Sequence, residues 1–270
     1  MTGNIPLKFG AVLVILLVWA PPGGAREKHT PPEKVPGALK MLVEKKEWDQ
    51  KQLKRLSERI LIPTGEFIMG FARGRKNEQP AHRVVLGAFY MDKYEVTQLQ
   101  YQSVMGQNPS YFKKCPLCPV EWVTWEQART YCGKVNKRLP TEAEWEKAAK
   151  GGVNDSFYWD GDHPDDFAWY GDNSERRTHP VGGKKPNGYG LHDMAGNVWE
   201  WVSDWYDGDY YQISPRANPQ GPAREIERVS RGGGWGYSPE LLRHSYRESH
   251  FPDTRYILGG FRCASDVETK

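Results

Sequence analysis

The sequence predicts an α+β domain rich in irregular structure, and three observations carry that prediction. Thr97 with Gln100, Thr124 with Gln127 and Thr141 with Glu144 each place a threonine three residues before a long amide or carboxylate side chain. This is a capping box, in which the hydroxyl accepts a first-turn amide and the later side chain reaches back. Between and after these starts the apolar pieces are short and divided by turns such as PNGYG (186–190) and RGGGW (231–235), and strand and helix patterns do not alternate as a wound parallel sheet requires.

Taken in chain order, residues 1–25 read as a signal peptide. Lys8 supplies the positive charge, Ala11 to Ala20 is apolar, and Gly23 and Ala25 are small residues before a cut. The apolar run is shorter than the roughly 20 residues that span a bilayer, so cleavage, a secreted or periplasmic product and no stable membrane insertion are expected; an N-terminal membrane anchor is the alternative. Residues 26–61 form a charged linker with Pro31, Pro32 and Pro36, followed over 37–61 by an amphipathic helix in which Leu53, Leu56 and Ile60 recur at helical spacing. Composition then turns rich in Trp, Tyr and Gly, which marks a domain over 62–266. The capping boxes predict helices beginning at Gln98, Trp125 and Glu142 and ending near Gly106, Asn136 and Gly151.

With 37 basic and 34 acidic residues the net charge is only +3, so no long-range field favours nucleic acid. RGGGW lacks the lysine and hydroxyl of a phosphate-binding loop, and there is no nucleophile elbow. The seven histidines are scattered, with no pair placed on one helix face as a zinc site uses. The 11 tryptophans read as core, because large aromatic side chains stabilise a domain with few regular elements.

Four cysteines, Cys115, Cys118, Cys132 and Cys263, suit two disulfides in an oxidising compartment, although the count does not fix their pairing. Cys115 and Cys118 lie in CPLCP, where Pro119 and the apolar residues after it argue against the helix start of a redox motif. That pair reads as a structural loop staple.

An ordered series of motifs resembles the formylglycine-generating enzyme, or sulfatase-modifying factor, family. They are IPTGEFIMG (62–70), FYMDKYEVT (89–97), NPSYF (108–112), CPVEWVTWEQARTYC (118–132), RLPTEAEWEKAAKGG (138–152), PNGYGLHDMAGNVWEWVSDWY (186–206), RVSRGGGW (228–235) and GFRCA (260–264). The resemblance implies an irregular elaboration of the C-type lectin scaffold with little regular secondary structure. It implies a disulfide between Cys132 and Cys263. It also implies a structural calcium ion held by the carboxylates of Asp193 and Glu200 and the carbonyls of Gly196 and Val198, a donor set that suits this hard cation. The alternative is that Asp193 and Glu200 only hydrogen-bond the loop. A second calcium site of the family would fall within WYGDNSERRTHPVG (169–182), where its ligands are not identified.

The same resemblance assigns the chemistry of the founding enzyme to two copper-binding cysteines, and here those positions carry Tyr237 and Leu242, with Gly234 replacing a serine. Soft thiolates suit monovalent copper and these side chains do not, so copper is not expected and formylglycine production is not either. Two readings follow. One is a peptide- or partner-binding module, with the family cleft lined by Trp235, Tyr237, Arg243, Tyr246 and Arg247, residue types enriched at binding hot spots. The other is an oxidoreductase of altered chemistry using Tyr237, His244 or His250. No recognisable nucleophile and base replace what was lost, which favours binding.

Overall fold

Three small sheets and four helices surround two apolar cores in the computed structural model, which describes residues 37–153, 155, 157, 159 and 163–268. The expected signal peptide and the expected linker to residue 36 lie outside the described residues. Residues 44–270 group as one compact unit and 1–43 as another.

Helix α1 (Gly37–Leu56) stops four residues before Ile60, and strand β1 (Arg59–Ile62) follows it. The helical spacing of Leu53, Leu56 and Ile60 therefore runs across a break. Leu56 is buried with Tyr94 and Val181, whereas Ile60 pairs with Met91 in strand β4 (Phe89–Asp92). Because β1 is part of the same sheet as β4 and β9 (Ala264–Asp266), a domain edge drawn at residue 62 cuts through a paired strand. Strands β2 (Gly65–Met69) and β3 (His82–Leu86) form an antiparallel hairpin.

Helices α2 (Gln98–Met105), α3 (Trp125–Lys134) and α4 (Glu142–Lys150) begin at the predicted residues, each with its threonine accepting the amide three residues on and the side chain at that position reaching back. Gly106 and Gly151 close α2 and α4 in left-handed conformation, which a residue without a Cβ adopts freely. The third sheet has four strands in the order β7-β6-β5-β8, built from β5 (Trp199–Trp205), β6 (Arg228–Arg231), β7 (Glu248–His250) and the short β8 (Gly259–Gly260), which runs parallel to β5.

One core joins Trp145 of α4 to Ile62, Met69, Val84, Phe89, Val202 and Val229. A second joins α2 and α3 through Tyr101, Tyr131, Trp201 and Phe261, and is fastened by the Cys132–Cys263 disulfide. The other disulfide is Cys115–Cys118, so all four cysteines of the chain are bridged. Trp199 and Trp201 are fully buried, as core tryptophans should be. No helix among the described residues is long and apolar enough to cross a membrane.

Candidate functional site

The strip from Gly232 to Arg247, which the sequence marks as the site of chemistry, is anchored from beneath by α4. Glu142 and Glu146 lie one turn apart on this helix and are both buried. Glu146 takes Arg231 Nη2 at 2.5 Å and the Gly70 amide at 2.8 Å, while Glu142 takes Arg247 in a two-pronged contact. Burial opposes ionisation of Glu142, yet Arg247 and Arg231 hold its carboxyl below the ordinary range. Arg231 Nη1 also donates to the carbonyls of Ser245 and Tyr246 and Nη2 to that of His244, at 2.7 to 3.0 Å, while Nε is buried without a hydrogen-bond partner. Buried charges of this kind are costly unless paired and hydrogen-bonded.

The five residues expected to line the cleft differ in burial and partners. Arg247 is 1% exposed and belongs to the ion-pair network, also donating to the carbonyls of Asn77 and Asp207. Trp235 and Tyr246 are buried as well. Trp235 Nε1 donates to the Ile257 carbonyl, and its ring meets the edge of Phe112. Arg243 is half-buried and forks onto Glu78, a fully buried carboxylate that also accepts the Ser245 hydroxyl and the Arg75 amide. Only Tyr237 of the five is a half-buried side chain without an ion pair or core role of this kind, its ring edge-on to Trp199 at 5.3 Å.

Leu242 is fully buried in a third apolar cluster with Trp159, Ala168, Tyr170 and Ala195, and Tyr237 packs against the same cluster. Of the two candidate histidines, His244 is fully buried, and burial followed by Lys150 lowers it to about 3. It is a neutral packed ring at physiological pH. His250 is half-buried, stacked obliquely on Tyr256 at 4.4 Å and edge-on to Trp201, and burial lowers its pKa too.

At the calcium positions the structure brings Asp193 and Glu200 into one buried acidic cluster and adds Glu95, which the sequence reading passed over although it lies within FYMDKYEVT. Glu95 accepts Asn197 Nδ2 at 2.6 Å and the Val198 amide at 3.1 Å. Burial, then the Asp193 and Glu200 carboxylates, push Glu95 well above its ordinary range. Glu200 is held by Arg262 through both oxygens at 2.7 and 2.8 Å, with Trp145 Nε1 adding a third bond at 2.8 Å. Asp193 Oδ2 accepts the Gly182 amide at 2.7 Å, but Oδ1 is buried without a hydrogen-bond partner. Burial is also the largest cause that raises Asp193 to about 6.

An orphaned carboxylate oxygen beside a turn is the donor a hard cation uses. Gly196 completes that turn in left-handed conformation, where a Cβ would stand 2.2 Å from the Trp169 carbonyl oxygen. Asp193 Oδ1 therefore offers an open donor that suits calcium, while Glu200 is already neutralised by Arg262. Among the described residues no three or more His, Cys, Asp or Glu side chains converge as a metal centre.

A second buried carboxylate that sequence reasoning missed is Glu121. It accepts the Tyr111 and Phe112 amides at 3.0 and 2.9 Å, fixing the NPSYF loop beside Trp235. Its signal was available, since a glutamate flanked by valine and tryptophan in VEWV is a charge within an apolar run.

Comparison with known proteins agrees with this geometry. The domain described as "FGE-sulfatase: Sulfatase-modifying factor enzyme 1-like domain" matches residues 44–267. The chain is 36% identical over 246 residues to "Serine/threonine-protein kinase pkn1" of Chlamydia pneumoniae, covering 78% of this chain and 38% of that protein, so it spans less than half of that relative's length. It is 31% identical over 285 residues to "Formylglycine-generating enzyme" of Streptomyces coelicolor, covering 77% of this chain and 89% of the enzyme. Among solved structures, "Treponema denticola variable protein 1" superposes with a TM-score of 0.73 at 33% identity, over 77% of this chain and 95% of that one. By sequence and by fold, the chain belongs to the sulfatase-modifying factor, or formylglycine-generating enzyme, family.

Proposed function

We propose that this protein is an exported member of the family that binds an extended peptide partner and does not produce formylglycine. The observation that carries the reading is the fate of the thiols. The two positions aligned with copper-binding cysteines hold Tyr237 and the buried Leu242, and every cysteine of the chain is already bridged. Linear two-thiolate copper coordination has no donor here. Two disulfides also support an oxidising compartment. The scaffold and the anchoring network remain, and Tyr237 stands half-buried on the strip, which supports a binding role.

The test pairs two measurements on the purified protein. Competition with a monovalent-copper chelator should detect no tight copper site, and mass spectrometry of a CxPxR peptide incubated with copper-loaded protein should find the thiol intact. Conversion of that cysteine to the aldehyde above a no-protein control would overturn the reading.

A further inference from the structure

The two disulfides sit in opposite surroundings. Cys132 and Cys263 are fully buried within the second core, out of reach of any solute. In the other bridge Cys118 is buried, but Cys115 is half-buried and lines an open cavity of about 220 Å³ with Lys45, Trp48, Asp49, Gln98 and Lys114. One cysteine of this pair is thus reachable from solvent and the other is shielded behind it.

Three features give that bridge a capacity beyond a staple. First, its loop is held by other bonds: the Gln98 and Leu99 amides donate to the carbonyls of Cys118 and Pro116, both at 2.9 Å, and the Val181 amide donates to the Leu117 carbonyl at 3.0 Å. Second, the surroundings are positive. Gln98 and Leu99 open the eight-residue helix α2, so the positive end of that helix rests on the loop. This supplies the helix start that CPLCP itself lacks, since the next helix begins only at Trp125. Lys45 and Lys114 in the cavity wall are accompanied by one carboxylate, Asp49, with which Lys45 pairs at 2.8 Å. Helix N-termini and lysines favour a thiolate over a thiol. Third, Cys118 Sγ lies 3.7 Å from the Thr178 carbonyl oxygen, an acceptor for the S–H of a reduced Cys118.

We propose that Cys115–Cys118 is a redox-exchange site, opened by external thiols while the fold and the Cys132–Cys263 bridge stay intact. An external thiol that has released its proton attacks Cys115 Sγ. A sulfur–sulfur bond forms between them, the Cys115–Cys118 bond breaks, and its electron pair goes to the Cys118 sulfur. Cys118 takes up a proton and donates a hydrogen bond to the Thr178 carbonyl. A second external thiolate then attacks the outer sulfur of the mixed disulfide and frees Cys115 as a thiolate, which the start of α2 and the two lysines stabilise. Two external thiols become one disulfide and two electrons pass to the protein; one proton stays on Cys118 and the other leaves to solvent. This site is separate from the Gly232 to Arg247 strip and does not depend on partner binding there.

The experiment incubates the oxidised full chain with excess reduced glutathione, which leaves structural disulfides of exported proteins oxidised. The protein is then alkylated with a maleimide without denaturant and the label is mapped by mass spectrometry. Cys115 and Cys118 should be modified and Cys132 and Cys263 not, with the near-ultraviolet circular dichroism unchanged. In Cys118→Ser, the rate of Cys115 alkylation against pH should reach half its maximum about one unit below the ~8.5 of a free cysteine, and Lys114→Glu should move that midpoint up. Absence of label on Cys115 and Cys118, or label on all four cysteines only as the dichroism signal is lost, overturns the exchange site. A midpoint at or above ~8.5 overturns the electrostatic argument for it. The labelling pattern of the unmodified protein decides alone should Cys118→Ser fail to fold.

Discussion

Arg247 Nε meets Glu142 Oε1 at 2.7 Å and Arg247 Nη2 meets Glu142 Oε2 at 2.9 Å, a buried fork that ties the end of the site strip to helix α4. Removing one partner of such a pair leaves the other charge buried and uncompensated, which costs about 3–5 kcal/mol. Arg247→Ala should therefore lower the denaturant midpoint strongly. The Arg247→Ala, Glu142→Ala double variant should lose less than the sum of the two single changes, because the removed groups interact. Additive losses would mean the pair is not coupled.

Arg243 makes a second case. It covers the fully buried Glu78, so Arg243→Ala should destabilise by about 3 kcal/mol, at the lower end for a stranded charge. Adding Glu78→Gln should recover part of that loss in thermal melts. A loss of partner binding in Arg243→Ala is thus interpretable only beside its melting curve.

The two disulfides should differ in weight. The Cys132–Cys263 bridge joins residues 131 apart in sequence, and replacing both cysteines by alanine should cost about 2–5 kcal/mol. Cys115–Cys118 closes a separation of 3 residues, and its removal should cost no more than about 2 kcal/mol in the same chain-entropy account. Chemical denaturation of the two double variants checks the order.

Calcium should raise the melting temperature of chelator-treated protein, since an ion that binds only the folded state stabilises it, by about 2.7 kcal/mol at a hundred-fold excess over Kd. Asp193→Ala should abolish that response. Glu200→Gln should melt lower with and without calcium, because it breaks the Arg262 contact. Identical melts of untreated, chelated and calcium-loaded protein would assign Asp193 and Glu200 to loop hydrogen bonding alone.

Asp204 predicts a pH dependence. Burial and then the Glu142 carboxylate push it up to about 7, although the Glu142 amide and the Ser203 hydroxyl donate to it. In the unfolded chain an aspartate titrates near ~4. Between those values the folded protein keeps a proton the unfolded chain has released, so this contribution is full below about pH 4 and is lost as pH rises to about 7. His244 acts with the opposite sign: lowered to about 3, it contributes fully above its unfolded value near ~6.5 and loses that contribution as pH falls toward 3. Asp204→Asn removes only the first effect. The melting temperature of Asp204→Asn minus that of the unchanged protein should rise from pH 4 to 7 and then level off; a constant difference would mean that Asp204 is ionised throughout.

Much of the architecture was legible because its signals are local. A capping box spans four residues and needs no knowledge of the rest of the chain, so Thr97, Thr124 and Thr141 marked their helices to the residue. Ile60 was misread because its spacing from Leu56 fits a helix, whereas its partner Met91 lies in another strand. The site was less legible for the same reason at longer range. Glu78 and Arg243 are 165 residues apart, and Glu142 and Arg247 are 105 apart, so an arginine in an aromatic strip reads as cleft lining until its distant carboxylate is seen.

The three arginine anchors also divide the strip into two classes of position. Arg231, Arg243 and Arg247 hold the polypeptide path from below, while Gly236, Ser238 and Glu240 are exposed above it. A Cβ at Gly236 would meet only the end of Leu258 at 3.5 Å, an ordinary contact. For protein engineering this is a display loop: side chains at 236, 238 and 240 can be randomised while the scaffold stays unaltered, and a library built there would sample new specificities without a loss of thermal tolerance.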